Sequence, residues 1–317
     1  MARFILRRIG LTLVTLVIVS MTVFAAAEVL PGDVARTILG PYATKAQVDA
    51  LDHQLGADQP LPVRYWNWAT DFVQGDWGTS PVQNTEVRPY VLGRFKNSLI
   101  LAAFALVLIV PLSIGLGVVA ALNYGRSLDR IITITGLSVI ALPEFVMGVV
   151  LIVVFAVQLG WFPVISQVPG TNPVDWFRQL LLPSLPLMFV LFGYVSRMAR
   201  AGTVDALQSD YARTAVLKGL PRRTVVWRHV LRNALLPTIT VVAVQIGYLV
   251  GGLVVVESLF SYPGIGQLIL TAATGHDLPT LEAAVLLIAL VYTAANLVAD
   301  VLYAVLNPRV RLAATCA

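Results

Sequence analysis

Three observations predict an all-α polytopic membrane protein with six transmembrane helices. Of the 317 residues 57% are hydrophobic and only 12% charged, with a mean hydropathy of +0.80, which lies outside the range of soluble domains. The apolar residues gather into runs of about 20 or more, the length a helix needs to cross a bilayer. Lys and Arg are spread unevenly between these runs. Fifteen of the 22 fall at the N-terminus, between the second and third runs, between the fourth and fifth, and after the sixth. By the positive-inside rule those segments are cytoplasmic, with both termini among them. The cytoplasmic loops thus account for the net charge of +5, and no nucleic-acid partner is indicated. The only cysteine, Cys316, excludes an intrachain disulfide.

The first run, Ile9 to about Ala27, follows Arg3, Arg7 and Arg8. Ala25-Ala26-Ala27 has the small residues of a signal-peptidase site, but the run exceeds the roughly 7–15 residues of a signal core, so a retained helix is expected. Residues 31–97 form an extracytoplasmic insert. Its Tyr65, Trp66, Trp68, Phe72 and Trp77 supply apolar surface to bury, which argues for a folded unit. Within it, Thr44 caps a helix predicted over 45–55, and a second is predicted over 63–73. Residues 98–306 are the core five-helix unit. Its first two spans, 98–122 and 131–158, are joined by a loop with Arg126 and Arg130. Ser113 and Gly117 form a small-xxx-small pair that permits close helix approach. Residues 159–179, with Trp161 and Trp176, read as an outer loop and 180–199 as the fourth span. The fifth, 234–256, carries Gly247 and Gly251 at GxxxG spacing. An outer loop, 257–282, leads to the sixth span, 283–306.

The coupling region, 200–233, lies between the fourth and fifth spans. Between Arg197 and Arg232 eight Lys/Arg stand against Asp205 and Asp210, so this stretch cannot sit in lipid. Ser209 or Asp210 suits an N-cap, Lys218 the negative end of a helix dipole, and Gly219 the C′ position. Pro221 opens a second helix that runs until Pro237. On the first helix Tyr211 and Ala215, and Ala212 and Val216, are four apart, giving a small apolar face beside Arg213, Thr214 and Lys218. Two readings stand at this point: a helix that fits a groove on a soluble partner, or a loop helix held to anionic headgroups by its arginines.

Asp210-Tyr211, Ala215-Val216-Leu217-Lys218-Gly219, His229, Arg232-Asn233-Ala234 and Leu236-Pro237 together resemble the cytoplasmic coupling motif of the permease subunits of the peptide/nickel family of ABC importers. Further motifs resemble that family and occur in its order. They are Pro31-Gly32-Asp33, Leu55-Gly56, Asp58-Gln59-Pro60-Leu61-Pro62, Gly75-Asp76-Trp77-Gly78, Glu257, Phe260, Tyr262-Pro263-Gly264-Ile265-Gly266, Asp277 and Pro279. The resemblance implies a type I importer fold and a coupling helix that docks on an ATPase. Asp210, Tyr211, Arg213, Thr214, Ala215, Lys218 and Gly219 would be the ATPase-coupling residues, with Arg200 and Asp205 orienting the region. The wider superfamily usually has an acid near Arg213; this chain has none, which removes an acid-based contact.

The resemblance also implies partners: a homologous second permease, two ATPase subunits or domains holding ATP and Mg, an extracytoplasmic peptide-binding protein, and the lipid of a bacterial cytoplasmic (inner) membrane. The implied cargo is di- or oligopeptides, with nickel, glutathione or another small solute as the alternative. An ion-coupled secondary transporter is a more distant reading. Trp66, Trp68 and Trp77 either pack and anchor the insert or meet the binding protein.

Three acids are candidate site residues. Glu144, beside Pro143, is the one acid near the middle of an apolar span, where a charge costs on the order of 3 kcal/mol. It is expected to line the translocation path and to meet a substrate's ammonium group; the plain reading is a neutral or paired carboxyl. Glu257 and Asp277 are expected at the outer mouth or against the binding protein, whereas Pro263, Gly264 and Gly266 can equally serve a tight turn. There is no GxxxxGK[ST] loop to hold ATP, and His53, His229 and His276 are scattered. No catalytic residue, metal site or bound cofactor is therefore expected.

Overall fold

A computed structural model describes residues 2–29, 43–47 and 59–306, nearly all of them helical. Helix α1, Ala2–Val29, leans on the last helix of the chain, and Arg8 Nη1 meets Asp300 Oδ2 at 2.8 Å. Many of its apolar side chains, Leu11, Val14 and Ile18 among them, are exposed, as a helix facing lipid on most of its surface requires.

Of the helix predicted over 45–55 only the start is described. There the Thr44 N–H and Oγ1–H both donate to Gln47 Oε1 at 2.9 Å, the reciprocal half of a capping box. The motifs at 31–33 and 55–56, with Arg309, Arg311 and Cys316, lie outside the described residues. The second predicted helix is present as α2, Leu61–Gln74, and ends at Gly75 with φ +93°. Phe24 of α1 packs on Tyr65 and Trp68 of α2, with centroids 5.6 and 5.4 Å away. Trp77 stacks on Phe72 at 4.8 Å. Of the three tryptophans singled out in the insert, Trp68 and Trp77 are thus engaged in packing, and Trp66 stays 69% exposed.

A two-rung antiparallel ladder, β1 (Thr79–Ser80) with β2 (Thr85–Glu86), turns the chain into α3, Val87–Leu122. This helix runs unbroken through position 97, three turns earlier than the span predicted from hydropathy. At about 1.5 Å per residue its 36 residues outreach a hydrocarbon core of about 30 Å. It pairs closely with α6, Pro173–Leu207, as the Ser113/Gly117 pair predicts. A Cβ on Gly117 would stand 2.8 Å from the Ala199 Cβ and 3.1 Å from the Arg200 nitrogen. Leu101, Ala105 and Ile109 of α3 and Leu180, Leu187 and Leu191 of α6 form the core with Leu249, Leu253 and Val256 of α10, Leu236–Leu259.

The single span predicted over 131–158 is corrected. Helices α4 (Ser127–Ala141) and α5 (Glu144–Leu151, continued by a π-helical segment Ile152–Gln158) meet at 102°. Pro143 lacks an N–H, and its ring pushes the preceding residue out of the helical region; Leu142 accordingly has φ −90° and ψ 130°. The predicted outer loop 257–282 is also mostly helical: α10 continues to Leu259, a short apolar helix α11 covers Ile265–Thr274, and α12, Leu278–Leu306, follows. Among the described residues five helices are long and apolar enough to cross a membrane, six with the bent pair as one span.

Candidate functional site

Three places gather the polar residues of this apolar chain: the arginine-rich hairpin, a cleft at Glu144, and the turn after α10.

In the hairpin, α7 spans Asp210–Leu217. It stops because Gly219 takes φ +75°, so that the Gly219 N–H reaches Val216 O at 2.9 Å and the Leu220 N–H reaches Ala215 O at 3.3 Å. This is the Schellman arrangement that a glycine allows and a side chain resists. Pro221 then caps the second arm, one place earlier than predicted. That arm is made of α8 (Arg222–Thr224), a π-helical segment Val225–Val230 and α9 (Leu231–Ala234). Ala212 and Ala215 turn inward onto Ala206, Val225, Val230 and Ala234. Gly202 of α6 lies so close that its Cβ would strike the Ala234 carbonyl. Of the small face predicted on α7, Ala212 and Ala215 bind the hairpin to itself, while Tyr211 and Val216 stay outside. Asp210, Tyr211, Arg213, Thr214, Lys218 and Gly219 are exposed. So are Val216, Trp227 and Leu217, the last at 87%.

Arg200, near the end of α6, makes a fork-to-fork pair with Asp129 of α4: Nε to Oδ1 at 2.5 Å and Nη2 to Oδ2 at 2.8 Å. The Gly125 N–H donates to the same carboxylate at 2.9 Å, and the guanidinium lies 5.1 Å from the centre of the Tyr124 ring. Asp129 is only 4% exposed. Sequence reasoning missed it because it stands between Arg126 and Arg130 in what reads as a positive loop; the one signal was an acid in a turn of opposite sign. Asp205 is exposed on the outer side of α6.

The two carboxylates expected at the outer mouth are corrected by burial. Glu257 is 0% exposed in the last turn of α10. Its Oε2 accepts the Gly266 N–H at 2.7 Å, and the backbone of Gly264 passes so near that a Cβ there would fall on the carboxyl group. Gly264 has φ −101°, so it is space rather than handedness that demands glycine. Ser98 Oγ accepts the Ile265 N–H at 2.8 Å, Asn97 Nδ2 donates to Pro263 O at 2.8 Å, and Tyr262 O–H donates to Asn97 O at 3.1 Å. Burial, with Glu257 alongside, pushes the Tyr262 phenol above its usual value. Asp277 is 3% exposed. It accepts from Ser80 Oγ at 2.5 Å and from the Thr280 N–H at 3.4 Å, tying the insert to the capped start of α12. Both acids hold turns together and present nothing to a docking protein.

Glu144 differs from these. It is the first residue of α5, where the helix dipole favours a negative charge, and it is half-buried. Its carboxylate lies over Gly252 of α10, whose Cβ would come within 2.7 Å of Oε2. It opens on a cleft of about 530 Å³ between α5, α10 and α12, lined also by Gly247, Tyr248, Gly251 and Tyr292. Of the GxxxG pair, Gly251 meets open space, and Gly247 stands at ordinary contact distance from Tyr292 and Asn296, because α10 here forms a wall of the cleft.

Residues 113–312 match the family described as "Binding-protein-dependent transport system inner membrane component", and residues 1–102 match its N-terminal counterpart. The chain is 38% identical over 311 residues to the "Glutathione transport system permease protein GsiC" of Escherichia coli, Shigella dysenteriae and Salmonella choleraesuis. The match covers 98% of this chain and 99% of each relative. An all-helical multi-pass fold with a self-packed polar hairpin between its fourth and fifth membrane segments agrees with both comparisons, and the chain accordingly belongs to the peptide/nickel family of ABC-importer permease subunits.

Proposed function

We infer from membership a transport subunit of a bacterial inner membrane, generally non-catalytic, that works with a second permease, ATPase subunits and a substrate-binding protein. We propose that this chain imports di- and oligopeptides on that plan. It contributes half of the path, with Glu144 lining it, and couples through the arginine-rich hairpin to ATPases that hold ATP and Mg while it binds neither. Both termini, the hairpin and the Arg126–Arg130 turn face the cytoplasm by the distribution of charge, and the insert faces the binding protein.

The observation that carries this reading is the division of α7. Its alanines are used internally, whereas Tyr211, Val216 and Leu217 are exposed among arginines. Such a face supports a groove on a soluble protein over attachment to headgroups. The test is co-purification. Leu217→Asp leaves the internal packing untouched and should release the ATPase from the purified assembly, while ATPase retained at wild-type stoichiometry, with uptake unchanged, would overturn the proposal. Among cargoes the relatives named for glutathione favour that tripeptide. Competition of labelled trialanine uptake by glutathione and by nickel separates the three possibilities.

A further inference from the structure

The cleft at Glu144 holds one charge and two hydroxyls in a wall that is otherwise aliphatic or glycine. Among the described residues, Tyr248 and Tyr292, both more than a third exposed, are the only other polar side chains lining it, and no Lys, Arg or His faces it. Among the described residues Glu144 has no hydrogen-bond or salt-bridge partner, whereas Glu257, Asp129 and Asp277 each accept at least one hydrogen bond within the protein. Gly252 keeps the site open: a side chain there would fill the space against the Glu144 carboxylate. A volume of about 530 Å³ is that of a small-molecule site. A lone carboxylate in low dielectric beside two aromatic rings recognises a cation, by direct ion pairing and over the ring faces.

The geometry points to a site for a primary ammonium group, with Glu144 as its counter-ion and Tyr248 and Tyr292 as the aromatic walls that set specificity during passage. This rests on the importer reading above and deepens it. Peptides with a free amino terminus and glutathione, through its γ-glutamyl α-amino group, share this chemistry, whereas their N-acetyl derivatives lack the charge.

The test uses the assembled importer in proteoliposomes, with binding protein and ATP. Uptake of labelled trialanine and of glutathione is measured against that of their N-acetyl derivatives, each at saturating binding protein. Glu144→Gln should cut uptake of the free amines about tenfold, one decade of lost discrimination being ~1.4 kcal/mol, and leave the N-acetyl forms within about twofold. Tyr292→Leu should lower the free amines severalfold. ATP-driven uptake that Glu144→Gln leaves unchanged, or lowers equally for free and acetylated forms, would overturn the ammonium site while the importer reading stands. A wild-type assembly with no ATP-dependent uptake at all would overturn the importer reading, and this inference with it.

Discussion

Asp129→Ala is the sharpest perturbation the structure suggests. It removes both acceptors of the Arg200 fork and the acceptor of the Gly125 N–H in one step. Breaking a buried ion pair by deleting one partner costs about 3–5 kcal/mol, because the other charge is left uncompensated. Arg200 keeps a quarter of its side chain open to solvent, so solvent screening brings the loss below that range, to about 2–3 kcal/mol. At roughly 2–4 °C per kcal/mol for a chain of this order of size, Tm should fall by about 5–10 °C in detergent, followed by intrinsic fluorescence. The pair ties the start of α4 to the end of α6, beside the hairpin, while the other end of α4 is the 102° bend at Glu144. Loss of the tie should therefore also lower uptake per ATP hydrolysed. An apolar replacement of both partners, Asp129→Leu with Arg200→Met, should recover most of the stability, since such replacements of buried pairs are often neutral, but not the coupling. A single variant melting within 1 °C of wild type, or a double variant that falls by the sum of the singles, would refute the reasoning.

Further outcomes follow from packing. Gly264→Ala places a methyl on the Glu257 carboxyl group and should destabilise by about 1–3 kcal/mol, whereas Gly251→Ala, which meets open space, should shift thermal stability by less than about 0.5 kcal/mol. Equal melting temperatures for the two would contradict the close approach. Gly202→Val separates the hairpin from α6 at the Ala234 carbonyl; its expected effect is loss of the co-purifying ATPase, read by size-exclusion chromatography, with Gly219→Ala milder because only the φ of +75° resists it. Trp68→Ala, which loses its packing on Phe24 and Phe72, should lower Tm by several degrees, while exposed Trp66→Ala should leave it unchanged.

The hairpin shows how far local grammar reaches. Gly219, Pro221 and the cap at Ser209 or Asp210 stop and start helices within a few residues, and such signals act through bonds that the sequence itself brings together. The same signals could not say which side of α7 faces a partner. Ala215 and Leu217 are neighbours in one motif, and only the packing of Val225 and Val230 against the alanines turns one inward and leaves the other outside. The bend at Pro143 was legible as a broken ladder, yet an angle of 102° rather than a modest kink depends on where α6 and α10 leave room for α5.

Buried acids mark the boundary between the two kinds of information most clearly. Hydropathy and charge count determined where the apolar segments lie, their order and the sign of the loops between them, because each depends on transfer of short stretches from water to lipid. They do not report what a carboxylate meets. Glu257 and Asp277 look like surface acids in a loop and are buried knots, Asp129 looks like a minor acid in a basic turn and pairs with a residue 71 positions away, and Glu144 alone is left facing a cavity. Those partners come from helices distant in the chain, so their identity was decided when α3, α4, α6, α10 and α12 packed together, and by nothing shorter.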